Sequence, residues 1–223
     1  MSQPLPDWTG AALAGFLLPG GMIWFLCHHY GIDAKAKALA GAFATGAAGT
    51  VLSLIAEEML WPVLADRFDP PWGGLFRAFV LIALTEETIK LSLITARGGD
   101  GKDASYGAFV MAAAAIGAGF AGVENGLYVG RYGTEVLGIR LLTATPFHIF
   151  NAVLAAWAIA RYLVGGRIEW LAAALTLSVA LHGLYDYLLD DSPFGNMLFL
   201  IALAMTSLPA VAVLRRLRPA PVP

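Results

Sequence analysis

Glu86-Glu87-x-x-Lys90 lies between Ile82-Ala83-Leu84 and Leu91-Ser92-Leu93-Ile94, in a stretch that otherwise reads as lipid-soluble helix. His182-x-x-x-Asp186 is set in a second such stretch, and Glu124 and His148 add two more titratable groups in apolar surroundings. A charge near a bilayer centre costs about 2.5–3.5 kcal/mol on insertion scales. Glu86, Glu87, Lys90, Glu124 and Asp186 together would cost on the order of 10 kcal/mol before any pairing. Such groups persist when they meet one another and do chemistry. On a helix Lys90 falls one turn beyond both glutamates, at i,i+4 and i,i+3. An ammonium beside two carboxylates keeps one ionised while burial favours protonation of the other, which suits a general base acting on water. The plainer reading of this trio is an ion pair that joins helices.

The other groups carry similar pairs of readings. His182 and Asp186 share a helix face, so the carboxylate can fix the imidazole tautomer or share a metal with it. Glu124 sits beside a small-residue seam, Ala118, Gly122 and Gly126, that allows close helix packing, and its plainer reading is an interfacial acid. His148 follows Pro146, whose kink can aim a side chain inward; alone it reads as a core histidine. Together Glu124, His148, His182 and Asp186 offer ligands of the sort a divalent metal such as zinc accepts. The same groups can act without one, with Glu86 or Glu87 activating water and the histidines steadying an oxyanion.

These residues need a membrane scaffold. The chain has 223 residues, 58% hydrophobic and 13% charged, with mean hydropathy +0.70. Soluble domains carry about 25% charged residues, so an all-α, multi-pass bundle in one domain over 1–223 is expected, with its motif-bearing core at 74–190. Seven apolar stretches of spanning length occur at roughly 10–28, 38–64, 74–96, 105–129, 138–161, 168–189 and 195–214. The break at Asp66–Gly74 is a turn, and Arg218–Pro223 reads as a frayed tail. No Lys or Arg precedes Lys35, so the first stretch reads as a retained span. With the N-terminus outside, nine Lys and Arg (Lys35, Lys37, Arg97, Lys102, Arg161, Arg167, Arg215, Arg216, Arg218) face the cytoplasm against four (Arg67, Arg77, Arg131, Arg140) outside. Counted down from the outer helix ends, the polar groups lie roughly 5–18 Å deep, all on the outer side.

Several classes are excluded. There is no basic stripe for nucleic acid, no phosphate loop, no serine elbow and no H-E-x-x-H, and Gly98-Gly-Asp-Gly101 is a turn with no strand before it. Cys27 is the sole cysteine, which rules out an internal disulfide. Cys27-His28-His29 falls on the cytoplasmic side, away from the other groups. Glu57-Glu58 reads mainly as interfacial, otherwise as support to the site.

Glu86-Glu87-x-x-Lys90, Phe120-x-x-x-Glu124 followed by Asn125, Arg140-x7-His148 and His182-x-x-x-Asp186 resemble, in order and spacing, the PrsW family of intramembrane proteases, over about residues 75–190. That family is grouped with the CAAX prenyl endopeptidases and, more distantly, with the scaffold subunit of gamma-secretase. The resemblance implies a multi-pass peptidase of the cell membrane. It implies catalytic roles for Glu86, Glu87, Lys90, Glu124, His148, His182 and Asp186, with a single-pass membrane protein such as an anti-sigma factor as substrate. Relatives with extra soluble segments differ from this chain, so recognition is expected within the membrane or short loops. The other classes that use intramembrane acids and histidines are proton or metal transporters, against which the absence of a repeat argues, and non-catalytic scaffolds.

Overall fold

The computed structural model describes residues 8–64, 72–99, 105–190 and 195–217. The turn expected at Asp66–Gly74 lies outside them up to residue 71, as do the Pro-rich tail and Lys102. The described residues are helical with no strand. In order they form α1 (Trp8–Tyr30), α2 (Ala36–Leu64), α3 (Trp72–Phe76), a π-helical stretch (Arg77–Ala83), α4 (Leu84–Gly99), α5 (Tyr106–Tyr132), α6 (Val136–Leu142), α7 (Ala144–Gly165), α8 (Glu169–Asp190) and α9 (Gly195–Arg216). Among the described residues, four of the seven expected stretches are long and apolar enough to cross a membrane: Ala36–Pro62, Tyr106–Tyr132, Val136–Gly165 and Glu169–Leu188.

α5 is the axis of the bundle. It packs on α1, α2 and α7, and every residue from Ala108 to Gly122 is buried. Its run of Ala and Gly lets neighbouring backbones come close. A Cβ on Gly119 would lie 1.9 Å from the carbonyl oxygen of Phe43 on α2, and one on Gly46 of α2 would lie 1.9 Å from that of Ile116. Helix association in lipid relies on such packing and on interhelical hydrogen bonds. Here Thr50 Oγ1 donates to Phe120 O at 3.0 Å. The closest approaches thus fall on Gly117, Gly119 and Gly46. Gly122 abuts the Phe16 and Phe43 rings, and Gly126 faces open space.

Two irregularities aim the site. The π-helical turns lead straight into the helix that carries Glu86 and Glu87, and such turns recur at functional sites. They pack on α8 at a point where only glycine fits, since a Cβ on Gly183, next to His182, would lie 2.5 Å from the Phe79 ring. The fifth expected span is broken at Thr143 (φ −124, ψ −72). Pro146 lies in the first turn of α7, where its missing N–H breaks no helical bond. The break at Thr143 therefore separates the short α6 from α7 and sets the direction of α7, which carries His148.

Candidate active site

Four helices bring their polar groups to one place. α4 supplies Glu86, Glu87 and Lys90; α5 supplies Glu124; α7 supplies His148; α8 supplies His182 and Asp186. Lys90 Nζ donates to Glu87 Oε1 at 2.6 Å and to His148 Nδ1 at 3.1 Å. It lies 3.3 Å from Glu86 Oε2 and 4.2 Å from the centre of the Phe120 ring. An ammonium only donates, so His148 Nδ1 accepts and the ring proton is on Nε2. That N–H faces Glu124 Oε2 at 2.7 Å.

His182 is held in the opposite sense. Its Nδ1 lies 2.7 Å from Glu87 Oε1, so it donates to the carboxylate. Nε2 then faces Asp186 Oδ2 at 3.4 Å and Glu86 Oε2 at 3.8 Å. The two imidazoles cross edge to face at 5.3 Å, and Phe147 packs against His182 and stacks on Tyr185.

The paired glutamates are consequently unequal. Glu87 Oε1 takes hydrogen bonds from both Lys90 and His182. Glu86 Oε2 is buried with no hydrogen-bond partner. Lys90 is within ion-pair range of it but not aligned to donate, so attraction without a bond describes that contact.

A second network supports Glu124. Arg140 Nη2 lies 3.0 Å from Glu124 Oε1, and Arg140 Nε donates to Asn125 Oδ1 at 2.9 Å. Asn125 Nδ2 donates to Thr145 Oγ1 at 2.9 Å, and the guanidinium lies 3.7 Å over the Tyr128 ring. Arg140 and Asn125 therefore belong to the site through Glu124. Sequence reading named them only as parts of motifs, because nothing along the chain says that an arginine fifteen residues on returns to Asn125.

Glu57 also faces the site. The buried stripe of α2, Gly46, Gly49, Thr50 and Ser53, continues at Glu57, whose electrostatic neighbours are Glu86, Glu124, His182 and Asp186. Its position near a helix end hid this, although its spacing of seven residues from Thr50 was a usable signal. Cys27, His28 and His29 do not converge. The two histidines are exposed and stack on Trp24 and Phe25.

Among the described residues, Glu86, Glu87, His148 and His182 form a buried group whose ligand atoms lie within 4.8 Å of one another, so the group could hold a metal ion. Oxygen and imidazole donors suit zinc, and the uncommitted Glu86 oxygen is a ready ligand. An ion reaching His148 Nδ1 would displace the Lys90 ammonium. The set expected from sequence shares the two histidines with this group. Glu124 and Asp186 stand at its edge, paired with those same histidines.

The comparisons with known proteins agree with this geometry. A family model described as PrsW family intramembrane metalloprotease matches residues 34–214. Protease PrsW of Shouchella clausii (strain KSM-K16) is 29% identical over 151 residues, 64% of this chain and 69% of that protein. Protease PrsW of Bacillus subtilis (strain 168) is 30% identical over 141 residues, 61% of this chain and 64% of that protein. The matched region thus spans about two thirds of each relative. No solved structure matches the chain. A family match over most of the length, with all four motifs gathered in one buried site, means that the chain belongs to the PrsW family of intramembrane metalloproteases, which are membrane-embedded hydrolases.

Proposed function

We propose that this chain is an endopeptidase that cuts a peptide bond in or beside the membrane-spanning segment of a single-pass membrane protein, with Glu86 as the general base. The observation that carries the assignment of the base is the inequality of the two glutamates. Glu87 is committed to Lys90 and His182, whereas Glu86 keeps a buried oxygen with no hydrogen-bond partner. An uncommitted carboxylate oxygen can accept a proton from water, and a doubly bonded one resists doing so.

Glu86 takes one proton from water as the water oxygen bonds to the carbonyl carbon. As an imidazolium, His182 is oriented by Glu87 through Nδ1 and directs its Nε2–H toward Glu86, where that donor steadies the oxyanion. The C–N bond then breaks, and the proton on Glu86 passes to the leaving amine. Lys90 holds Glu87 and His148 and supplies positive charge beside both. A divalent ion held by Glu86, His148 and His182 would polarise the carbonyl and acidify water.

The seven-span arrangement with N-terminus outside is part of this proposal. It is supported by the nine-to-four Lys and Arg bias; the four apolar spans among the described residues account for four of its seven, those expected at 38–64, 105–129, 138–161 and 168–189, and on this arrangement the site lies in the outer half of the membrane. The resemblance to relatives that cut anti-sigma factors makes such a protein the specific substrate candidate. The test is cleavage of tethered single-pass proteins by the purified chain, with Glu86→Gln and Glu87→Gln alongside. Full cleavage by Glu86→Gln would remove Glu86 as the base, and no cleavage by wild type of any such substrate would remove the endopeptidase reading.

A further inference from the structure

The face of α7 that carries His148 continues one turn on, away from Thr143, in Asn151. At 100° per residue, Asn151 lies about 60° round the helix from His148, between the directions of His148 and Phe147. His148 reaches α4 and α5 through Lys90 and Glu124, and Phe147 reaches α8 through Tyr185. Ala152 lies on the other side of His148, against Gly117 of α5. The Asn151 side chain therefore projects between α4 and α8, beneath the catalytic groups.

Asn151 is 1% exposed, and neither Nδ2 nor Oδ1 has a hydrogen-bond partner. A carboxamide left unmatched in an apolar interior opposes folding. A leucine of the same branched skeleton would carry no such penalty. A buried polar group that the protein does not satisfy is ordinarily satisfied by ordered water.

Hydrolysis adds a second reason. Each turnover places the hydroxyl of one water on the carbonyl carbon and its remaining proton on the leaving amine. Yet Glu86, Glu87, Lys90, His148 and His182 are all 6% exposed or less, so they offer bulk water very little surface. We propose that Asn151 is a positioning residue that holds a water molecule at the floor of the site, donating through Nδ2 and accepting through Oδ1. From there water is delivered to Glu86. This rests on the endopeptidase reading and extends it by naming where the second reactant is kept.

The test uses the full chain in detergent, with Asn151→Leu and Asn151→Ser, a cleavable single-pass substrate and thermal unfolding of each variant. Leu removes hydrogen bonding while keeping the branched skeleton, and Ser retains a donor and an acceptor. The expected result for Asn151→Leu is an unfolding midpoint equal to or above wild type, an unchanged KM and a kcat lower by about 10–100-fold. Asn151→Ser should recover most of that loss. Wild-type kcat in the Leu variant would overturn the proposal. So would a loss of kcat that follows a lowered midpoint or failure to fold, which marks a structural amide. A rise in KM alone would overturn it too, by assigning the amide to substrate backbone. Glu86→Gln serves as the control. If wild type cleaves and this control does not, only the water-holding role is at stake; if wild type does not cleave, the endopeptidase reading falls and this inference with it.

Discussion

The polar interior has two halves that meet at His148, and they are built on opposite principles. Around Arg140 each charge has its own partner: Glu124 meets Arg140 through one oxygen at 3.0 Å and His148 through the other at 2.7 Å, although Arg140 Nη2 and Glu124 Oε2 make no aligned hydrogen bond. The guanidinium holds Glu124 and Asn125 while lying over Tyr128, and Asn125 passes the constraint to Thr145. Around Glu86 the choice stays open. Two carboxylates face one ammonium, and one carboxylate oxygen accepts no hydrogen bond. In the proposed mechanism one half is a frame and the other is the reacting centre. His148 transmits the frame's order, with Nε2 fixed by Glu124 and Nδ1 presented to Lys90.

If that contrast is right, substitutions in the two halves fail differently. The largest effect on turnover is expected from Glu86→Gln. It removes the base without removing packing, so cleavage should fall by about 10²–10⁴-fold while thermal unfolding stays near wild type. Glu87→Gln should also lower cleavage, by less, and with a lowered unfolding midpoint, because it weakens the buried partner that Lys90 and His182 share. Breaking a buried ion pair on one side costs about 3–5 kcal/mol. Equal unfolding midpoints for the two variants would erase the proposed inequality of the glutamates.

A smaller loss is expected on the frame side. Arg140→Gln should lower kcat by about 10–100-fold, the range for residues that orient ligands, together with stability. Arg140→Lys should restore little, because a lysine cannot reach both Glu124 and Asn125 in a fork. Elemental analysis of the same proteins sharpens the comparison. An ion held by the convergent group should be lost in His182→Ala and kept in Arg140→Lys, and retention in both would locate it elsewhere.

The smallest effect on chemistry should come from Gly46→Ala, at the α2–α5 crossing. The added Cβ meets the Ile116 carbonyl, and overpacking of this kind typically costs about 1–3 kcal/mol. The unfolding midpoint should drop while kcat of the folded fraction stays within about twofold of wild type. A large loss of kcat in folded protein would show that the crossing tunes the site as well as supporting it.

Much of the site was legible along the chain. Acids, a lysine and histidines set in apolar stretches declare themselves by their insertion cost, and i,i+3 and i,i+4 spacing declares which of them share a helix face. That is why Glu86, Glu87, Lys90, Glu124, His148, His182 and Asp186 could be named from spacing and motif. Contacts join them directly, although counting from apolar boundaries had spread them over a range of depths. Glu57 and Asn151 were harder. An acid near a helix end and an uncharged amide carry no comparable penalty to mark them, and their significance depends on what faces them.

Periodicity and composition determined by themselves that this chain forms apolar helices and that a few of those helices carry charge where lipid would reject it, because helix formation and insertion cost are local properties of a segment. Only the tertiary structure decided which atoms pair: that Glu87 is the committed glutamate and Glu86 the uncommitted one, that His148 accepts from Lys90, and that Arg140 returns to Asn125. Those pairings depend on the rotation of each helix about its own axis. That rotation is set by contacts distant in sequence, such as Gly46 and Gly119 at α2–α5 and Gly183 against Phe79, and by the break at Thr143.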